Sequence, residues 1–149
     1  GSVHDPGAAM LGGVGGHAGL FANTGDLAIL MQLLLNNGKY GGTRFLEDST
    51  IQLFVNKFKE DNRRGLGFDK PDLDTENGPT SLKCSPLTFG HTGFTGTCIW
   101  ADPEYDLIYV FLSNRVNPSA NYNKLARTNI RTRIQDEIYK VMKTIPKKK

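Results

Sequence analysis

The chemistry in this sequence is concentrated in one segment, Phe89-Gly90-His91-Thr92-Gly93-Phe94-Thr95-Gly96-Thr97. A titratable imidazole is followed directly by a small hydroxyl residue and a glycine, at the start of a run rich in β-branched and aromatic side chains. Such a placement leaves backbone N–H groups and short polar side chains accessible along a strand edge. An edge of that kind binds an extended peptide-like substrate or an oxyanion. The same residues also fit a plain hairpin strand with glycines at a bend.

Other chemical patterns are weaker. Gly13-Val14-Gly15-Gly16-His17-Ala18 matches G-x-G-x-x-A in form, but no strand precedes it, so dinucleotide binding is not expected. Gly38-Lys39 is followed by Tyr40 and lacks the upstream glycine of a phosphate loop. His4, His17 and His91 are not spaced as a zinc site, no paired carboxylates stand out, and no G-x-S-x-G elbow occurs. No cofactor or metal is expected.

Several elements must position the His91 segment. Val3 to Gly19 is too glycine-rich for a continuous regular element and is expected to be a tight, partly buried loop. Asn23 caps a helix with Asp26 as its capping-box partner; Leu27, Leu30, Met31 and Leu34 share its apolar face, and Gly38 stops it. Glu47 to Thr50 cap a shorter helix carrying Ile51, Phe54, Val55 and Phe58. Lys59 to Arg64 is a charged break, Gly65 to Phe68 a short strand, and Asp69 to Thr88 a long surface loop, either a functional lid or a disordered excursion.

Phe89 to Ala101 and Leu107 to Asn114 then form an antiparallel hairpin around the Asp102 to Asp106 turn. Both alternate faces of Leu107 to Leu112 are apolar, which places that strand mid-sheet with cover on both sides. A helix from Leu125 to Met142 supplies one cover.

The chain has 149 residues, enough for one core, and a net charge of +3 that owes part of its excess to Lys147, Lys148 and Lys149. A terminal lysine run is a solvated end, and no basic face interleaved with aromatics is present, so no nucleic acid is expected as a partner. The longest apolar run, Leu27 to Leu35, falls short of the ~20 residues of a membrane span. Cys84 and Cys98 are too few for a disulfide scaffold or a four-thiolate metal site, and their pairing is left open. Gly1-Ser2 reads as an expression scar, so further sequence is expected upstream.

The His91-Thr92-Gly93 box resembles the third, Lys/His-Thr/Ser-Gly box of the serine β-lactamase and penicillin-binding-protein superfamily, in its class C-like branch with esterases and D-amino-acid peptidases. Gly15-Gly16-His17-Ala18-Gly19-Leu20-Phe21 followed by Asp26-Leu27-Ala28 is similar to that branch's glycine-rich turn and helix start, with Ala22-Asn23 where Ser-Thr is commoner. Gly65 to Phe68, Trp100-Ala101-Asp102-Pro103 and Leu112-Ser113-Asn114-Arg115 stand in the family's order. The resemblance covers most of the chain and is nearest to modules of bacterial envelope proteins, some of them fused to glycosidases of family 3.

The resemblance implies an α+β fold, and a hydrolase whose chemistry also needs a Ser-x-x-Lys and a Tyr-x-Asn-like box. Ser2, Ser49, Ser81, Ser85, Ser113 and Ser119 all lack a lysine three residues on, and no tyrosine has an asparagine two residues on. Ser119-Ala120-Asn121 lies after the His91 box, where a helix-entering turn is expected. The chain is therefore expected to be one partial domain over residues 1–149, the C-terminal part of a longer serine hydrolase, inactive alone. By the resemblance, His91 replaces the usual lysine, Thr92 bonds a substrate carboxylate or the proton relay, Gly93 completes the box, and Phe94 offers its N–H as half of an oxyanion hole. The implied partners are a β-lactam, D-amino-acid peptide or ester, and the missing N-terminal part; the implied place is the bacterial periplasm or envelope. A non-catalytic envelope module that binds a peptidoglycan peptide or a partner domain is the alternative. An exposed strand edge left by the missing part predicts a homodimer.

Overall fold

The computed structural model describes residues 1–60, 62–75 and 78–144. In chain order its elements are α1 (Pro6–Met10), α2 (Thr24–Leu35), β1 (Lys39–Tyr40), β2 (Thr43–Arg44), α3 (Asp48–Val55), β3 (Phe89–Thr92), β4 (Cys98–Asp102), β5 (Leu107–Phe111), α4 (Lys124–Arg127) and α5 (Ile130–Met142). The fold class is α+β, as the sequence implies.

The first segment is not loop throughout. Asp5 accepts from the Ala8 N–H at 2.8 Å and Pro6 pre-sets the first helical residue, so α1 forms in front of the glycines. Only Ala8 of this region is buried; Met10, Val14 and Leu20 stand well exposed, against the expectation of a partly buried loop. Asn23 caps α2 by accepting from the Asp26 N–H at 3.0 Å, while the Asp26 carboxylate takes the Asn23 side-chain amide and not its backbone. Met31 and Leu34 are buried but Leu30 is half exposed, so the apolar stripe is narrower than the sequence pattern. Beyond Leu35 the left-handed Asn37 and Gly38 turn the chain, and a Cβ at Gly38 would strike the Leu46 carbonyl. Helix α3 buries Ile51 and Val55; Phe54 is exposed, and Phe58 lies beyond the helix end.

The sheet has three antiparallel strands in the order β3-β4-β5. The single strand expected from Phe89 to Ala101 is two, because the left-handed Gly96 reverses the chain and its N–H closes on the Gly93 carbonyl at 3.0 Å. His91 pairs with Ile99, Thr92 with Cys98, and Trp100 with Tyr109. One face packs Phe89, Ala101, Ile99 and Ile108 against Met31 and Leu34 of α2 and Ile51 and Val55 of α3. The other packs Cys98, Trp100 and Tyr109 against Ile134 and Ile138 of α5. Strand β5 is thus covered on both faces as expected, yet it stands at the sheet's edge among the described residues, not in its middle.

Three further expectations are corrected. Gly65 to Phe68 is not a strand: Gly67 is left-handed, and the ladder contact falls on Asp69, which exchanges both backbone hydrogen bonds with Gly90. The C-terminal helix is broken into α4 and α5 at the left-handed Asn129. Asp69 to Thr88, apart from Glu76 and Asn77, which lie outside the described residues, holds no helix or strand, as a loop does, but only part of it lies on the surface. Six of its polar side chains are turned inward, Asp69, Lys70, Thr80, Ser81, Ser85 and Thr88, while Asp74 and Thr75 are exposed. The Ser81 N–H donates to Gln135 of α5 at 2.8 Å, and Ser85 donates to the Asp102 carboxylate from its N–H at 2.8 Å and its hydroxyl at 2.6 Å. Tyr139 donates to the same carboxylate at 2.6 Å. This strap joins the end of β4 to α5. Cys84 and Cys98 are free thiols, both buried.

Candidate functional site

The His91 segment sits where β3 runs into the 93–97 turn. Gly90 lets β3 lie close against β4, since a Cβ there would meet the Ile99 carbonyl and the Trp100 ring. Gly90 directs its N–H and C=O to Asp69 on the outer edge, so by strand alternation the backbone groups of Thr92 face that edge too.

His91 is exposed and doubly engaged. Its Nδ1 lies 2.7 Å from the Thr92 carbonyl oxygen and its Nε2 3.1 Å from Nη1 of Arg64. A carbonyl only accepts and a guanidinium only donates, so the proton belongs on Nδ1 and Nε2 presents a lone pair. The fixed positive charge beside the ring is that of Arg64. Arg64 is steered by Asp69, 3.6 Å from its Nη2, while Arg63 forks onto the same carboxylate at 2.8 and 2.9 Å. Burial pushes the Asp69 carboxyl up, but the hydrogen bonds and charge of Arg63, with Arg64, hold it net below the ordinary carboxylate range.

The turn after Thr92 is held from behind. Arg115 donates through Nε to the Phe94 carbonyl at 2.7 Å and through its backbone N–H to the Thr95 carbonyl at 3.0 Å. The Ser113 hydroxyl also donates to Thr95 O, at 3.2 Å. Arg131 reaches the carbonyls of Thr97 at 3.0 Å and Gly96 at 3.4 Å. The Arg115 guanidinium lies 4.4 Å from the centroid of the exposed Phe94 ring, on which His4 stacks with centroids 5.6 Å apart. Among the described residues no acceptor engages the Phe94 N–H, which leaves a backbone donor free beside Thr92.

His91, Thr92, Gly93 and Phe94 therefore lie together as one strand end and turn. The other histidines do different work: His17 bonds Asp5 at 2.8 Å and His4 stacks on Phe94. Among the described residues no three His, Cys, Asp or Glu side chains cluster to hold a metal. The Ser85 hydroxyl is committed to Asp102, and that of Ser113 to a backbone carbonyl. Sequence reasoning missed Arg64, Asp69, Arg115 and Arg131. Arg64 stood in a segment read as a charged break, and Arg131 on the polar face of a helix; the run of charges ending one residue before Gly65 was the available signal.

The fold is α+β, with a His-Thr-Gly strand end and a backbone donor one residue on. The sequence family described as Beta-lactamase matches residues 1–132, and this chain belongs to that family. Its relatives include proteins named "Putative D-alanyl-D-alanine carboxypeptidase" from Escherichia coli K12, 45% identical over 116 residues, and from Salmonella gallinarum, 41% identical over 129 residues. The Salmonella paratyphi B protein of the same name is 42% identical over 130 residues. These matches cover 77–83% of this chain but only 27–30% of each relative. No helix among the described residues is long and apolar enough to cross a membrane.

Proposed function

We propose that this chain supplies the substrate-facing strand and one oxyanion donor of a serine acyl hydrolase, and that its nucleophile lies in sequence outside these residues. The free Phe94 N–H, beside Thr92 on a turn pinned by two arginines, carries this reading. Backbone donors fixed in advance where negative charge develops give the largest single contribution to acyl transfer. The absence of Ser-x-x-Lys from the sequence, and the 27–30% span of the relatives, support a nucleophile contributed from elsewhere in a longer protein.

The substrate class supported best is a peptide ending in D-amino acids, from the relatives' printed names and from the Arg64 guanidinium set beside His91 for a terminal carboxylate. A bacterial envelope location accords with that substrate. In the test, the full-length protein releases D-alanine from an acyl-D-Ala-D-Ala peptide, the 149-residue chain does not, and Thr92→Val lowers the full-length rate. Hydrolysis by the 149-residue chain that is lost on replacing one of its own serines would overturn the assignment of the nucleophile. Saturable peptide binding by the full-length protein with no turnover would make the chain part of a binding module instead.

A further inference from the structure

The 93–97 turn carries exposed chemistry on one side and a set of cationic props on the other. The carbonyls of Phe94, Thr95, Gly96 and Thr97 are each taken by a donor from Ser113, Arg115 or Arg131. In a trans peptide the C=O of one residue and the N–H of the next point in opposite directions, so these props fix the facing of the Thr95, Gly96 and Thr97 N–H groups, while the Phe94 N–H belongs to the preceding peptide, whose Gly93 carbonyl takes the Gly96 N–H at 3.0 Å. Arg115 makes the most contacts: Nε to Phe94 O, its own N–H to Thr95 O, Nη1 to the Ala120 carbonyl at 3.2 Å, and its guanidinium plane on the Phe94 ring. The planar fork and stack hold Phe94 by its carbonyl and its ring, and so restrain from the C-terminal side the Cα next to the Phe94 N–H, which a lysine's point charge does not do.

We propose that Arg115 is a positioning residue for the Phe94 N–H, holding the oxyanion donor in register from behind the turn without touching substrate. The proposal rests on the acyl-transfer reading above for its catalytic consequence, but not for its structural one. An oxyanion interaction is made in the transition state more than in the ground state, so its misalignment lowers kcat and leaves KM nearly unchanged.

The test uses the full-length protein with a chromogenic ester as acyl donor, comparing wild type, Arg115→Met and Arg115→Lys, and reads amide hydrogen exchange in the same samples. Arg115→Met is expected to lower kcat by about 10- to 100-fold with KM within about threefold, and Arg115→Lys to fall between it and wild type. Exchange at Gly93 and Gly96, whose N–H groups close the turn at 2.8 and 3.0 Å, should speed up by about tenfold or more while that of β4 holds. Unchanged kcat, or a rise in KM alone, overturns the positioning role. If the wild type turns over no acyl donor, the acyl-transfer reading fails, and the exchange rates still decide: slow exchange at Gly93 and Gly96 in Arg115→Met overturns the claim that Arg115 holds the turn, and fast exchange sustains it.

Discussion

Lys70 offers a stability test whose sign changes with pH. Its side chain is 8% exposed, and its ammonium donates to the Leu87 carbonyl at 2.9 Å within the strap that joins β4 to α5. Desolvation pulls its pKa from the ordinary 10.5 down to about 8, against the attraction of Asp102. A lysine with a lowered folded pKa penalises the native state while it is charged. Below pH ~8 both states hold the proton and the penalty is complete, at about 3.4 kcal/mol for the fall from 10.5 to about 8. Between about pH 8 and 10.5 only the unfolded chain holds the proton, so stability rises with pH.

Lys70→Met removes the penalty and also one hydrogen bond worth about 1 kcal/mol. At pH ~6.5 the variant should therefore be more stable than wild type by about 2 kcal/mol, and near pH ~9.5 the two should converge, since about 2 kcal/mol of the penalty has by then been relieved. Urea unfolding followed by the fluorescence of Trp100, the single tryptophan and itself buried, reads both states. A variant less stable than wild type at pH ~6.5, or a difference that does not change with pH, would refute the assignment of Lys70 as a desolvated charge.

Asp102 receives Ser85 twice and Tyr139 once; burial raises its pKa, but these hydrogen bonds bring it net below 3.8, so its contribution is present above that pH and lost as acid protonates the native carboxyl. Asp102→Asn should cost about 3 kcal/mol at neutral pH and flatten the acid limb of the stability profile, read by the same urea series. Gly90→Ala forces a methyl into the Ile99 carbonyl and the Trp100 ring, and should cost about 2–3 kcal/mol or split β3 from β4, seen as faster amide exchange at Gly90 and Trp100. In the isolated 149-residue chain, β5 has a strand neighbour on one side only among the described residues and Met10, Leu20 and Phe21 are exposed, so sedimentation should show concentration-dependent self-association. A compact monomer at all concentrations would remove that expectation.

The sheet's pairing and its double cover were legible because both faces of Leu107 to Phe111 are apolar and the 102–106 turn is short. The split of Phe89 to Ala101 was not, since a glycine at a bend and a glycine that reverses the chain look alike in sequence; only φ distinguishes Gly96. The strap from Asp69 to Thr88 departs from the expected surface loop for a sharper reason. Ser, Thr and Asp are turn formers by composition, but here their donors and acceptors are used inward on Asp102 and Gln135, contacts 17 and 54 residues away in the chain. In the site, His91 to Phe94 form a contiguous motif and could be read directly. Arg64 reaches His91 across 27 residues and Arg115 reaches Phe94 across 21, so neither contact has a local signature.

His91 to Phe94 are proposed as the substrate side of a serine acyl hydrolase whose nucleophile lies outside this sequence. Labelling the full-length protein with a fluorescent penicillin and mapping the adduct by peptide mass spectrometry tests it most directly. One acylated serine, outside the 149 residues, is expected, with labelling slowed by Thr92→Val. An adduct on Ser81, Ser85, Ser113 or any other serine of this chain would contradict it.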